Sequence, residues 1–235
     1  MKKIVLIEPA ASEANVYSKL HMPLLGPVYL GTILKNAGHQ VEIYNEDIYR
    51  PDYSKLDADI IGISVLTSTA KRGYDIARKF PKEKVIIGGV HASLLPEEAL
   101  GFSRQVVVGE AEEVITPMID GLINDPIVHG KAIRDLDSLP FPDFSLIKGY
   151  RPNLSLTPIS TSRGCPFDCT FCSVTKVFGK EFRFRSAESV MQELALRNSG
   201  PLFFCDDNFT ANRQRAHKLL KLMLQKKIPS WSCQV

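Results

Sequence analysis

Two short segments in the first half of the chain contain consecutive apolar residues instead of alternating apolar and polar ones, and they restrict the fold more than any other feature of the sequence. They are residues 59–65 and 84–89. A strand with apolar residues on both faces must be covered on both faces, as strands of a parallel sheet are when helices pack on either side. Further strands are indicated at 3–7, 40–44 and 105–108, and helical patterns at 23–35, 67–80 and 111–122. The alternation predicts a doubly wound parallel α/β sheet of the flavodoxin-like kind over residues 1–130.

Residues 131–157 interrupt this alternation and predict a linker, because prolines punctuate a stretch without regular apolar spacing. The alternation resumes in residues 158–235. Strands are indicated at 159–162 and 202–205, helices at 187–197 and 211–226, and the start of a third strand at 231–235. Ser186 is placed to cap the first of these helices. The basic residues of this half predict solvated surfaces, namely a turn with Arg183 and Arg185 and a helix face with Arg213, Arg215, Lys218 and Lys221.

The charge and the hydropathy pattern exclude several classes of protein. The chain of 235 residues has a formal net charge of only +3, which gives no argument for a nucleic-acid or membrane-surface partner. Its longest apolar runs are too short to span a bilayer. The apolar start of the chain ends at Glu8 and Pro9, too early for a signal peptide. We therefore expect a cytoplasmic protein.

All five cysteines lie in the last third of the chain, and Cys165, Cys169 and Cys172 fall within eight residues. An odd number without an export signal argues against a disulfide framework, so the clustered thiols indicate a metal site. Three thiolates on one loop suit a [4Fe-4S] cluster with one iron left open for a small molecule. The alternative is a closed zinc site with Cys205 or a histidine as the fourth ligand. Cys205 and Cys233 are otherwise expected to be small core residues.

The Cys-x3-Cys-x2-Cys spacing, with Phe171 before the last cysteine and Arg163-Gly164-Cys165-Pro166 leading in, resembles the radical S-adenosylmethionine (SAM) superfamily. This resemblance implies the first part of a (β/α) barrel in residues 158–235, with the cluster on the three cysteines and Phe171 near the adenine of SAM. The amino and carboxylate groups of SAM would occupy the open iron, and cleavage of SAM would give a 5′-deoxyadenosyl radical.

Asp206 and Asp207 stand where many radical SAM proteins have Gly-Gly-Glu, whose carboxylate contacts the SAM ammonium. The Asp-Asp-x-Phe sequence resembles the variant of the branch that is fused to cobalamin domains. The resemblance therefore implies that Asp206 and Asp207 contact SAM. The alternative is a strand end followed by turn and capping residues.

The residues at the ends of two predicted strands in the first half resemble a second known sequence pattern. Ser64 and Leu66 follow one strand, and Gly88 and Gly89 follow another. Ligands of open α/β sheets bind beyond the carboxyl ends of the strands, and two glycines opposite a small hydroxyl leave a slot for a flat group. Ser-x-Leu with Gly-Gly resembles the pattern with which cobalamin domains hold the dimethylbenzimidazole tail. The order of motifs along the chain resembles the cobalamin-binding radical SAM proteins.

One departure concerns the lower ligand of cobalt. Methionine-synthase-type domains supply it from Asp-x-His-x-x-Gly in the first loop, and this chain lacks the Asp and the Gly there. His21 is the histidine of that loop, and we interpret it as an ordinary loop residue. His91 follows the Gly-Gly pair and is not expected to bind cobalt. The resemblance thus implies cobalamin without a lower protein ligand.

The expected function is a cobalamin-dependent radical SAM enzyme that methylates an unactivated carbon of a small molecule. An electron donor such as flavodoxin or ferredoxin would serve the cluster. One alternative is a radical cyclase or rearrangement enzyme of the same architecture without net methyl transfer. Another is an inactive cobalamin- or metal-binding fragment, because a radical SAM barrel has about six βα units and this chain supplies two and a fraction.

Overall fold

The first half of the chain forms a fully parallel sheet in a computed structural model that describes residues 1–11, 22–151, 156–197, 200–228 and 230–235. Its strands are β1 (Lys3–Glu8), β2 (Gln40–Asn45), β3 (Ile60–Ser64), β4 (Val85–Gly88), β5 (Gln105–Val108) and β6 (Ile127–His129). The strand order is β2-β1-β3-β4-β5-β6. This is the flavodoxin-like order with one additional edge strand, so the predicted fold class is confirmed.

The sixth strand was not predicted from the sequence. It has only three residues, Ile127–His129, and it follows an Asn-Asp-Pro turn sequence. Its pairing with β5 (Val106 opposite Ile127) supplies the hydrogen bonds that define it. A strand this short has too few residues to show an apolar period of its own.

The continuous apolar runs serve the two faces of the sheet. On β3, Ile61 and Ile63 belong to one core cluster and Ile60 to the other. The helices that cover the sheet are α1 (Leu25–Asn36), α2 (Ala70–Ala77), α3 (Val90–Leu94), α4 (Pro96–Leu100) and α5 (Ile115–Asp120). Both α2 and α5 are shorter than predicted, and the residues after β4 form two helices because Pro96 begins a new one.

The chain divides into two compact units, residues 1–132 with 142–150 and residues 133–141 with 151–235. The predicted linker, residues 131–157, is therefore divided between them where the structure describes it. In the first unit, Ile147 is buried and forms a parallel bridge with Ile43, and Lys148 N–H donates to the Ile43 carbonyl at 2.9 Å. The prolines correctly indicated an irregular backbone in this segment. The buried Ile147 nevertheless packs this backbone against the core of the first unit.

The second unit contains a parallel sheet of three strands and a short antiparallel pair. Its strands are β7 (Thr157–Ile159), β8 (Ser162–Arg163), β9 (Arg183–Phe184), β10 (Leu202–Phe204) and β11 (Trp231–Cys233). The parallel sheet has the order β11-β10-β7, and β8 pairs with β9. The predicted strand at 159–162 is thus two strands with a corner between them.

Three helices accompany these strands: α6 (Val174–Val177), α7 (Ala187–Ala195) and α8 (Arg213–Gln225). The predicted cap of α7 is confirmed, because the Ser186 side chain accepts a hydrogen bond from Ser189 N–H at 3.1 Å. Ile159, Leu194, Phe204 and Leu219 are core residues of this unit. Among the described helices there is none with the length and apolar character needed to cross a membrane.

Candidate cofactor sites

The carboxyl ends of β3 and β4 bring together three of the four residues predicted for a cobalamin slot. Ser64 and Gly88 are register partners, and Gly89 follows directly. Gly89 has a φ of 99°, and a Cβ there would lie 2.6 Å from the Val65 carbonyl oxygen. A side chain at 89 is therefore disfavoured both by the backbone conformation and by the lack of space. The absence of side chains leaves room at this edge of the sheet, next to the half-buried Leu66.

His91 points into the protein at the same edge. It is buried, its Nδ1 lies 3.2 Å from the Thr67 hydroxyl, and its Nε2 lies 3.4 Å from a Glu98 carboxylate oxygen. Both ring nitrogens of His91 therefore have a protein group within hydrogen-bonding distance. His21, the other histidine considered, lies outside the described residues.

Two buried carboxyl groups at the ends of β1 and β2 were not identified from the sequence. The strand order changes direction at β1, which places Glu8 at the topological switch point. Glu8 accepts a hydrogen bond from Leu24 N–H at 3.1 Å. Burial raises the pKa of Glu8 to about 7, although the hydrogen bonds from Leu24 and Asn45 oppose this rise.

Glu46 lies just beyond β2 and has a different environment. Its carboxylate accepts from Ala10 N–H at 3.1 Å, from the Tyr53 hydroxyl at 2.8 Å and from Arg72 Nε at 2.9 Å. Burial would raise the pKa of Glu46, but these hydrogen bonds and the Arg72 charge lower it below its ordinary value. The available sequence signal was an acidic residue directly at the end of an apolar strand, which is where ligand-side residues of such sheets occur.

The three predicted cluster ligands share the loop that joins β8 to β9. Cys169 is exposed, Cys165 and Cys172 are half-buried, and Cys172 N–H donates to the Cys169 carbonyl at 3.0 Å. Gly164, at the start of the loop, has a φ of 79°, and a Cβ there would collide with the carbonyl oxygen of Glu181 at the loop's far end. The two ends of the loop therefore approach each other as closely as their backbones allow.

The loop carries the three thiols that an iron–sulfur cluster needs, but their sulfur atoms are not gathered around one point. Within the described ranges, no group of three His, Cys, Asp or Glu side chains is gathered closely enough to hold a metal ion. The three cysteines nevertheless stand on one short loop, which contains no histidine. Phe171 on the same loop is 91% exposed, an unusual position for a large apolar ring. Three thiols beside such a ring fit a cluster and a flat ligand in their chemistry.

Cys205, the cysteine considered from the sequence as a fourth zinc ligand, directly follows β10 and is half-buried. Its thiol lies 3.7 Å from the Phe203 carbonyl, and burial raises the pKa of Cys205 to about 12, with the Asp206 charge adding to the rise. Burial also raises the pKa of Cys233. Cys205 has the character of a small apolar residue, as the sequence indicated.

Asp206 and Asp207, both predicted to contact SAM, have different surroundings. Asp206 is completely buried and accepts hydrogen bonds from Thr161 N–H at 2.6 Å, from Ser162 N–H at 2.9 Å and from the Thr161 hydroxyl. Asp207 is half-buried and accepts from Gly164 N–H. Burial and the neighbouring Asp206 charge raise the pKa of Asp207. Asp207 therefore lies beside the first residues of the cysteine loop.

Three arginines predicted to be solvated are buried in the second unit. Arg185 pairs with Glu193, and Arg183 Nη1 donates to the Ile133 carbonyl at 2.6 Å. Arg215 donates from Nη2 to the Thr161 carbonyl at 2.9 Å. The predictions of a solvated turn and of an exposed position for Arg215 are therefore wrong. Basic residues are usually exposed, and they are buried only where an acceptor inside the protein pairs with them.

Known proteins resemble the chain over both units. Residues 14–117 match the model of the B12 binding domain. Bacteriochlorophyllide d C-8(2)-methyltransferase of Chlorobaculum tepidum is 29% identical, over 82% of this chain and 47% of that protein. Anaerobic magnesium-protoporphyrin IX monomethyl ester cyclase of Cereibacter sphaeroides is 25% identical, over 97% of this chain and 44% of that protein. The chain spans about half the length of the curated relatives it matches.

A solved structure shares the fold. The radical SAM methyltransferase TsrM of Kitasatospora setae, solved with cobalamin and a [4Fe-4S] cluster bound, matches with a TM-score of 0.66 at 16% identity. The match covers 97% of this chain and 52% of that one. At this sequence identity the match is evidence only that the two proteins share a fold.

Proposed function

We propose that the chain works in a cobalamin-dependent radical SAM enzyme that methylates an unactivated carbon. The match of residues 14–117 to the B12 binding domain and the similarity to a bacteriochlorophyllide methyltransferase support this proposal. The observation that carries this proposal is the combination on one chain of two features. One is the slot without side chains at Gly88 and Gly89, and the other is the three-cysteine loop after β8. A small-molecule substrate and an electron donor such as flavodoxin or ferredoxin are part of the proposal.

In the second unit, Cys165, Cys169 and Cys172 would hold the cluster through their thiolates. When bound, a [4Fe-4S] cluster supplies the electron that cleaves SAM to a 5′-deoxyadenosyl radical. Phe171, with its ring exposed, would pack against the adenine. Asp207 would offer its carboxylate to the SAM ammonium from beside the start of the loop.

In the first unit, the residues beyond β3 and β4 would accept the tail of cobalamin. Gly88 and Gly89 would let a flat ring approach the backbone, since neither has a side chain. Ser64 would offer its hydroxyl, and Leu66 an apolar wall. The Thr67–His91–Glu98 chain of contacts would hold the loop after β3 in place, because each ring nitrogen of His91 already has a partner.

A second candidate is radical cyclisation without net methyl transfer. It is supported by the 25% identity to the cyclase of Cereibacter sphaeroides over 97% of this chain. Products separate the two reactions in the whole enzyme. Methyl transfer consumes about two SAM molecules for each methylated product, whereas cyclisation forms deoxyadenosine without transferring a methyl group.

The test is anaerobic reconstitution of the chain with iron and sulfide. We expect about four irons per chain and the visible absorption of an iron–sulfur cluster. Cys169→Ala should abolish both, while Cys205→Ala, the matched control at a half-buried thiol outside the loop, should keep them. Added SAM and reductant should then yield 5′-deoxyadenosine. One zinc per chain without sulfide, or equal iron in both variants, would contradict the proposal.

A further inference from the structure

The two consecutive aspartates after β10 hold the backbone from which the cysteine loop starts. Asp206 Oδ1 accepts from Thr161 N–H at 2.6 Å and from Ser162 N–H at 2.9 Å. Asp207 accepts from Gly164 N–H. Three backbone donors within four residues, all immediately before Cys165, are thus bound by neighbouring carboxylates that lie more than forty residues later.

Asp206 has no side that faces a ligand. Its side chain is 0% exposed, and its second oxygen, Oδ2, accepts from the Thr161 hydroxyl. Arg215 Nη2 lies 3.7 Å from the same oxygen, and the Arg215 side chain is only 5% exposed. A buried carboxylate is tolerated only where hydrogen bonds and an opposite charge compensate for lost hydration. Here protein groups supply all of that compensation.

Thr161 is fixed from several directions. Its N–H and hydroxyl both donate to Asp206, and its carbonyl accepts from Arg185 N–H at 2.9 Å and from Arg215 Nη2 at 2.9 Å. The Thr161 hydroxyl also accepts from Arg215, so it links the guanidinium to the carboxylate. A residue with every backbone and side-chain polar group bound has little freedom. The corner between β7 and β8 is therefore rigid because of this network.

We infer that Asp206 is a positioning residue: together with Thr161 and Arg215 it sets the direction in which the cysteine loop leaves β8, and it does not contact SAM. The assignment replaces the SAM contact that the sequence resemblance implied for Asp206 and leaves that contact to Asp207. The purpose of the positioning, to present three thiols to one cluster, rests on the proposed function. The contacts themselves do not.

The test compares hydrogen–deuterium exchange of the metal-free chain in wild type, Asp206→Ala and Thr161→Val. Both variants should exchange the amides of residues 161–164 at least about tenfold faster, while the amides of α8 stay as slow as in wild type. Thr161→Val is the sharper variant, because it removes only the hydroxyl and leaves the carboxylate available. Asp168→Asn, at an exposed carboxylate on the loop that pairs with Lys180, is the control and should change nothing.

The reconstituted protein supplies the second readout. Thr161→Val should retain less iron on gel filtration but bind SAM to its remaining clusters with wild-type affinity. Unchanged exchange at 161–164 in both variants, with a loss only of SAM affinity in Asp206→Ala, would make Asp206 a SAM ligand and overturn the inference. If Asp206→Ala does not fold, the exchange and iron retention of Thr161→Val alone test the inference. If no cluster forms in any variant, the proposed function fails, but the exchange result still tests the network.

Discussion

Replacing Glu8 with Gln should stabilise the protein at pH 8 and change its stability little at pH 5. Glu8 ends β1 with its carboxyl group buried, and burial raises its pKa from 4.5 to about 7. Leu24 N–H donates to it at 3.1 Å, and the charge of Asp47 disfavours its ionisation further. Gln has the size of Glu and keeps an acceptor for Leu24, but it has no proton to lose.

The magnitude follows from the difference between the folded and unfolded pKa of Glu8. Between pH 4.5 and about 7 the folded chain holds a proton that the unfolded chain has released, so the free energy of unfolding falls as the pH rises through this window. Each pKa unit corresponds to about 1.4 kcal/mol, which gives a total of about 3 kcal/mol. The Glu8→Gln variant avoids this loss and should therefore be more stable than wild type above pH 7 by an amount of this order.

Urea unfolding of the whole chain, followed by far-ultraviolet circular dichroism at pH 5 and pH 8, measures the difference. The single tryptophan, Trp231, lies in the second unit and does not report on β1. Glu46→Gln is the matched control, because Glu46 is held ionised by Arg72 and its pKa is lowered. That variant should be less stable than wild type at pH 8, with a smaller deficit at low pH. Equal destabilisation by Glu8→Gln at pH 5 and pH 8 would refute the reasoning.

Three further predictions concern the slot and a helix cap. Gly89→Ala should lower the free energy of unfolding by about 2 kcal/mol through its positive φ and its approach to Val65. Gly88→Ala should fold normally, since its nearest contact would be Val107 at 3.8 Å, yet bind hydroxocobalamin more weakly in an absorbance titration. Unchanged binding would contradict the slot. Ser186→Ala should cost about 1 kcal/mol in urea unfolding, and no change would show that Ser189 N–H does not need this cap.

The sequence alone was enough to predict features that depend only on residues close together along the chain. The consecutive apolar residues within 59–65 and 84–89 form β3 and β4, because a strand that is apolar on both faces must be covered on both faces. Ser186 caps α7 because a cap needs only the hydroxyl and the N–H three residues later. The spacing of Cys165, Cys169 and Cys172 on one loop is likewise a property of the chain itself.

Burial of charge was decided only by the tertiary structure. Asp206 meets Thr161 across 45 residues and Arg215 meets it across 54, so no local pattern marks Arg215 as an interior residue rather than part of a basic helix face. Glu8 has one local signal, its position at the end of an apolar run, but that position does not by itself show that its carboxyl group is buried. The state of a buried ionisable group depends on which distant donors surround it, since desolvation and hydrogen bonding act through space and not along the chain.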